Sequence, residues 1–235
     1  MRGAPEIAVM SIVDAGDNQE QLPQGVTCGK KRAEPFGPAE AAAMNDEPII
    51  PDPPHPGYAA ASRRGTPFAT ADGRALFLRP IRPDDVDALR RGFARLTPEQ
   101  VRLRVFHRMN DLSPEVAERL CNVDQAVGAA FVATDADGEI RGEARMYVEP
   151  AAERAEFALV VDPALVGIGV GHVLMQRLLE EGRRRGLSEL LGSVLAENAT
   201  MLDFASRLGA EREAIPDEPD LVRVRFDLRD GRRED

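Results

Sequence analysis

From Arg74 to about residue 230, apolar positions recur with two periods, and their order predicts the architecture. Ala75–Pro80 reads as a strand. Pro83 then opens a helix with Asp84 and Asp85 in its first turn, and Val86, Leu89, Phe93 and Leu96 form one stripe at helical spacing. Thr97-Pro-Glu-Gln100 has the form of a capping box with proline at the first helical position, starting a second short helix through Val105. Ser113-Pro-Glu starts a third helix, carrying Val116, Leu120 and Cys121. Strand patterns follow at Ala129–Thr134 and Ile140–Val148, around the hairpin signal Asp135-Ala-Asp-Gly138, and again at Glu156–Val161. Val170, Val173, Leu174 and Leu178 return to helical spacing, with Gly186 suited to the C′ position. Ser188–Leu195 reads as a strand, Ala199–Leu208 as a helix ended by Gly209, and Val222–Leu228 alternates as a last strand. The predicted order, β-α-α-α-β-β-β-α-β-α-β, is a mixed, mostly antiparallel sheet with helices on its faces, in a single α/β (α+β) domain over residues 73–230.

Residues 1–72 break this regularity. Seven prolines between Pro35 and Pro56 interrupt any period, and Ala, Gly and polar residues fill the gaps. Such a segment buries too little apolar surface to offset its chain entropy. It is expected to be disordered, with at most a short strand at Ile7–Val13, and is equally readable as a functional arm or as a start-site artefact. Residues 231–235 are expected to be a disordered tail.

Composition narrows the function. A net charge of -10 argues against nucleic acid, because neutralising phosphates needs a clustered basic surface. Arg183-Arg-Arg185, the densest basic run of the folded part, closes a helix, where it pairs with the dipole or meets an acidic partner. Cys28 and Cys121 are too few for a disulfide framework or zinc site, and Cys121 reads as a small core residue. His55, His107 and His172 lack ligand spacing, so no metal is expected. No leader pattern or long apolar run is present, and the expectation is a soluble, cytoplasmic protein without membrane contact, a monomer or homodimer.

The densest chemical signal is Gly167-Ile168-Gly169-Val170-Gly171, between the apolar run ending at Val161 and the helix from His172. Glycines admit a ligand close to the backbone, and the helix behind them offers unpaired amides and a positive dipole to an anion. A flexible turn would use the same residues. The spacing differs from G-x-G-x-x-G, and no Lys-Ser/Thr follows as in a P-loop.

Together with Val194-Leu-Ala-Glu-Asn198-Ala-Thr-Met201, this loop and element order resemble the Gcn5-related N-acetyltransferase family over roughly residues 75–230. Leu78-Arg-Pro-Ile-Arg-Pro-Asp-Asp85, Leu96-Thr-Pro-Glu99, Arg104-Val-Phe106 and Ala155-Glu-Phe-Ala158 are most similar to the bacterial protein lysine acetyltransferases. The resemblance implies a central strand splayed from its neighbour, with acetyl-CoA as cosubstrate in the gap. It implies that backbone groups of Leu159, Val160 and Val161 pair with pantetheine. The amides of Val166, Gly167, Ile168, Gly169, Val170, Gly171 and His172 would wrap the pyrophosphate. Asn198 would hold pantetheine, cap the following helix, or do both. The loop departs from the family pattern: Val166 stands for a polar residue and Ile168 for an arginine, which predicts weaker cofactor binding or a different acyl preference.

The same resemblance implies a primary amine as acceptor, on a protein lysine or a small molecule, and Glu156 as general base, since a lysine ammonium with pKa about 10.4 must lose a proton before it attacks. Burial among Phe157 and Met146 is expected to raise that carboxyl's pKa. The tyrosine by which many members protonate the leaving thiolate is Ala205 here, and the oxyanion would lean on the Val160 or Val161 amide. A non-catalytic acyl-CoA-binding module is the competing reading.

Overall fold

The computed structural model describes residues 64–105, 111–149 and 152–229. The expected strand at Ile7–Val13, together with Cys28, His55, His107 and the C-terminal tail, lies outside them. Eight strands form one sheet: β1 (Thr66–Ala69), β2 (Ala75–Pro80), β3 (Gly128–Thr134), β4 (Ile140–Val148), β5 (Arg154–Val161), β6 (Glu189–Leu195), β7 (Glu211–Ala214) and β8 (Leu221–Asp227). Their spatial order is β1-β2-β3-β4-β5-β6-β8-β7, and only the β5–β6 pair is parallel. The α-helices with full bounds among the described residues are α1 (Val86–Ala94), α2 (Pro98–Val105), α3 (Pro114–Cys121), α4 (Val170–Arg184) and α5 (Ala199–Arg207).

Six strands and all five helices stand where the periodicity puts them. The two strands it misses are the two edges. Among the described residues the sheet begins at Thr66 rather than Ala75, because β1 pairs with β2 from Thr66↔Leu78 to Ala69↔Ala75. Its four residues are mostly exposed and include Pro67, which an edge tolerates. At the other edge β7 reads Glu-Arg-Glu-Ala, a charged strand with no apolar alternation to find.

Local signals work as the residue types require. Thr97 N–H donates to Gln100 Oε1 and Gln100 N–H to Thr97 Oγ1, both at 3.1 Å, closing the capping box of α2. Ser113 Oγ accepts from Val116 N–H at the head of α3. The Arg-Pro-Ile-Arg-Pro-Asp-Asp run is a clasp: Arg79 holds Asp85 through Nη1 and Nη2 at 2.6 and 2.7 Å, both side chains buried. Asp85 Oδ2 also accepts from Arg82 N–H at 2.8 Å.

The fully buried β3 separates two apolar clusters. Ala129, Phe131 and Ala133 belong to the cluster that holds Leu174, Leu178 and Leu202 of α4 and α5, whereas Ala130 and Val132 belong to the one that holds Leu89, Ala117 and Leu120 of α1 and α3. Cys121 is in the second cluster, where burial pushes its thiol up to about 12, as suits an inert core residue. Two arginines of the basic run at the end of α4 are structural. Arg184 and Arg185 pair with Glu181, and Arg185 also donates to the carbonyls of Gln125 and Gly128 at 3.0 and 2.8 Å.

Candidate active site

β5 and β6 pair over three residues only, Arg154↔Glu189, Ala155↔Leu190 and Glu156↔Leu191. Beyond Glu156 the strands separate, while β5 stays paired with β4 as far as Val161. Close packing marks its vertex. A Cβ on Gly192 would lie 2.6 Å from the Phe157 ring, so glycine there lets Phe157 fill the gap beside β6.

The result is a strand with one free edge. Asp162 N–H donates to Arg141 O at 2.8 Å, so by alternation the polar backbone groups of Val160 also face β4. Those of Leu159 and Val161 face the opening. The Val161 carbonyl accepts from Gln100 Nε2 at 3.1 Å, which ties α2 to the end of β5. Gln100 thus serves twice, in the helix cap and at the site; only the first role is visible in the capping-box pattern.

The glycine loop follows β5 through the turn Pro163–Leu165. Gly167 and Gly169 have φ of 83° and 99°, the left-handed region that other residues avoid. A Cβ at either would meet no atom within 4 Å, so conformation is what demands glycine there. Gly171 differs: it lies in the first turn of α4, and a Cβ would be 3.6 Å from Phe204 and Val161. The first α4 amide with a carbonyl one turn back is that of Val173, on Gly169 at 3.1 Å. The amides of Val170, Gly171 and His172 therefore head the helix without intrahelical acceptors, an anion-binding arrangement. The loop is pinned from behind, where Ala71 N–H donates to Ile168 O at 3.0 Å and the Ile168 side chain packs on the core. The unforeseen β1–β2 turn thereby fixes the loop.

Glycine loop, open edge and α5 line one cavity of about 880 Å³, within the ordinary range of ligand sites. Val166, exposed, sits at its mouth. Asn198 reaches the cavity and caps α5, its Oδ1 accepting from Met201 N–H at 3.1 Å. Phe204 and Arg207 of α5 also line it. No acidic, His or Cys cluster able to hold a metal occurs among the described residues.

Glu156 occupies the last paired rung, half-buried, at the vertex of the split and in the cavity wall. Its surroundings differ from the expected ones. Met146 and Phe157 pair with each other and point into the α4-side core. Glu156, one residue on, points to the other face beside Tyr147, since successive strand residues alternate. On that face lies a charged array. Arg145, buried, binds Glu143 through Nε, donates from Nη1 to Tyr147 Oη at 2.9 Å and from Nη2 to the Leu120 carbonyl at 3.4 Å. Burial opposes the Arg145 charge, but Glu143 and Tyr147 outweigh it and hold its pKa above the ordinary value. Arg104 of α2 completes the wall. These side chains carry no spacing signal, being drawn from three elements.

Residues 95–210 match the profile of the Acetyltransferase (GNAT) family. Acetyltransferase PA5475 of Pseudomonas aeruginosa is 30% identical over 148 residues, covering 62% of this chain and 80% of that protein. Among solved structures, the GNAT domain of S. lividans PAT superposes with a TM-score of 0.65 at 25% identity, over 71% of this chain and 98% of that one. The yncA protein of Salmonella typhimurium, solved with its cofactor acetyl-CoA, superposes with a TM-score of 0.54 at 18% identity, over 65% and 94%.

Proposed function

This chain belongs to the acetyltransferase (GNAT) family, and from that premise we propose that it moves the acetyl group of acetyl-CoA onto a protein lysine, with Glu156 as general base. The observation that carries this reading is the position of Glu156. It is the last residue of β5 paired to β6, and the open edge begins one step further along the same strand. A thioester held along that edge brings its carbonyl to the vertex, where the carboxylate faces the opposite side of the sheet from Phe157.

The residues present fit the cofactor. Leu159 and Val161 offer backbone groups to the amides of the pantetheine arm, as a sheet edge pairs with a peptide. Val170, Gly171 and His172 offer amides to the pyrophosphate, and Arg207 supplies a cationic side chain on the α5 wall. Asn198 spends its side-chain oxygen on the helix cap and keeps its amide nitrogen for the ligand.

The acceptor enters as an ammonium and must become a neutral amine. Glu156 takes the proton, directly or through one water, as the N–C bond forms and the C–S bond breaks. Of the two amides turned to the opening, that of Leu159 is the nearer to the vertex and is the one that a thioester oxygen held there would meet. Coenzyme A leaves as a thiolate and takes its proton from water: Ala205 is buried in the core and donates nothing. The acidic balance of the chain favours a cationic acceptor.

Glu156→Gln tests this. Acetylation of lysine proteins should fall roughly 10²–10⁴-fold at neutral pH with cofactor affinity kept, and the deficit should shrink as rising pH neutralises the amine. Full activity in the variant removes Glu156 from the chemistry. Wild-type turnover of polyamines or amino sugars, with lysine proteins left unmodified, replaces the protein acceptor by a small one.

A further inference from the structure

Phe157 is the first residue of β5 beyond the paired rungs, and the rung it would share with Gly192 of β6 is not made. Its ring takes that place instead. A Cβ on Gly192 would stand 2.6, 2.8 and 3.1 Å from three atoms of the ring, so the ring fills the space that a β6 side chain would occupy. Phe226 of β8 braces it edge-on, with 5.8 Å between ring centroids and 60° between planes. Phe157, 6% exposed, and Gly192 both belong to the cavity wall, whereas Phe226 lies in the core outside it. The narrow end of the split is thus closed by one ring held in close packing.

The chemistry of acyl transfer says what meets that ring. Glu156 takes the proton of the amine, so the amine approaches from the face of the sheet that carries Glu156 and Tyr147. Attack on a carbonyl carbon comes across the plane of the thioester, so that plane lies along the sheet and its three substituents spread within it. Sulfur points back along the open edge, and oxygen points to the Leu159 amide. The acyl chain takes the third direction, into the vertex. A methyl group ends against Phe157 there, and each further methylene has to displace a ring that Gly192 and Phe226 hold in place.

We propose that Phe157 is the stop for the acyl chain: seated on Gly192, its ring restricts the donor to acetyl-CoA and rejects longer chains such as butyryl. The inference rests on the acyltransferase reading of the cavity and adds to it which donor the site accepts. Phe157 is then a specificity-determining residue. Shortening its side chain opens a space beside Gly192 that no β6 side chain refills, so the added room continues the split.

The test is a pair of direct titrations, with acetyl-CoA and with butyryl-CoA, on the wild type, Phe157→Val and Phe226→Val. One methylene too many in an apolar pocket is worth about ten- to two-hundredfold, so the wild type should bind acetyl-CoA at least about tenfold more tightly than butyryl-CoA. Phe157→Val should bring the two affinities to within about twofold or reverse their order. Phe226→Val removes the other ring of the same pair, with a comparable loss of stability, and should keep the wild-type preference. The ratio is taken within one preparation, so a smaller folded fraction does not alter it. Phe157→Leu keeps a large apolar side chain in the core and should show the same change in part, which serves if Phe157→Val does not fold. Equal affinities in the wild type, a preference that both Phe157 variants keep, or one that Phe226→Val loses equally overturns the proposal. Failure of acetyl-CoA itself to bind the wild type overturns the acyltransferase reading, and so separates the two.

Discussion

The two faces of β5 are built on opposite plans. On the α4 side, Phe157, Leu159 and Val161 pack with apolar neighbours, and the polar groups on offer are backbone: the open edge and the head of α4. On the other side, Glu156 shares a face with Tyr147, Arg145 and Glu143, under Arg104, and the polar groups are ionised side chains. A ligand held by backbone depends little on which side chains surround it, provided the chain takes the right path. A ligand held by a balanced set of buried charges depends on each member, because removing one strands another. The first plan suits a cofactor common to a whole family, and the second suits an acceptor that differs from enzyme to enzyme.

The comparison can be broken most sharply on the backbone side. Gly169 combines φ of 99° with the N-cap position of α4, so Gly169→Glu puts a strained side chain and a negative charge at the mouth of the proposed anion site. Acetyl-CoA affinity should fall by more than about a hundredfold, or 2.8 kcal/mol, in a direct titration. Affinity within threefold of wild type would mean that the pyrophosphate lies elsewhere. Gly169→Ala shares the backbone strain without the charge and should lose far less.

On the charged side the test is stability. Asp85→Ala removes the partner of buried Arg79 and the acceptor of Arg82 N–H. Stranding that guanidinium should cost about 3–5 kcal/mol, or a melting temperature lower by about 10 °C for a domain of this size. A loss below about 1 kcal/mol would place the clasp among surface ion pairs, which contribute little.

The same contrast decides what was legible in the sequence. The glycine loop could be read because a backbone site leaves a composition signature, and Gly167 and Gly169 carry it through positive φ. The Arg79–Asp85 clasp was visible as a motif but not as an ion pair, because six residues of spacing do not state which two side chains meet. Resemblance alone names Glu156, and its expected neighbours Met146 and Phe157, near it in the chain or in register, face the other way. Gly192, which admits the Phe157 ring against β6, looks in sequence like a weak point of that strand. The edge strands β1 and β7 carry no apolar alternation, since an edge must resist further pairing rather than fill a core.

The smallest expected effect refines the backbone side. Ile168 stands where the family carries an arginine, and adding a guanidinium beside the pyrophosphate would by itself tighten binding by up to about tenfold, or 1.4 kcal/mol. The structure gives a reason to expect less. The Ile168 side chain packs against the α4-side core, and its carbonyl is held by Ala71 N–H at 3.0 Å. Ile168→Arg gives up that packing, although arginine can lay its aliphatic stem over the same surface and extend its charge to solvent. The backbone bond from Ala71 survives the exchange, so the path of the loop should too. We expect a gain of about two- to fivefold in acetyl-CoA affinity that fades with added salt, because an exposed charge is screened within a Debye length. Weaker binding in the variant would show that Ile168 shapes the loop for its ligand, and that the departure from the family pattern is compensated by the fold rather than merely tolerated.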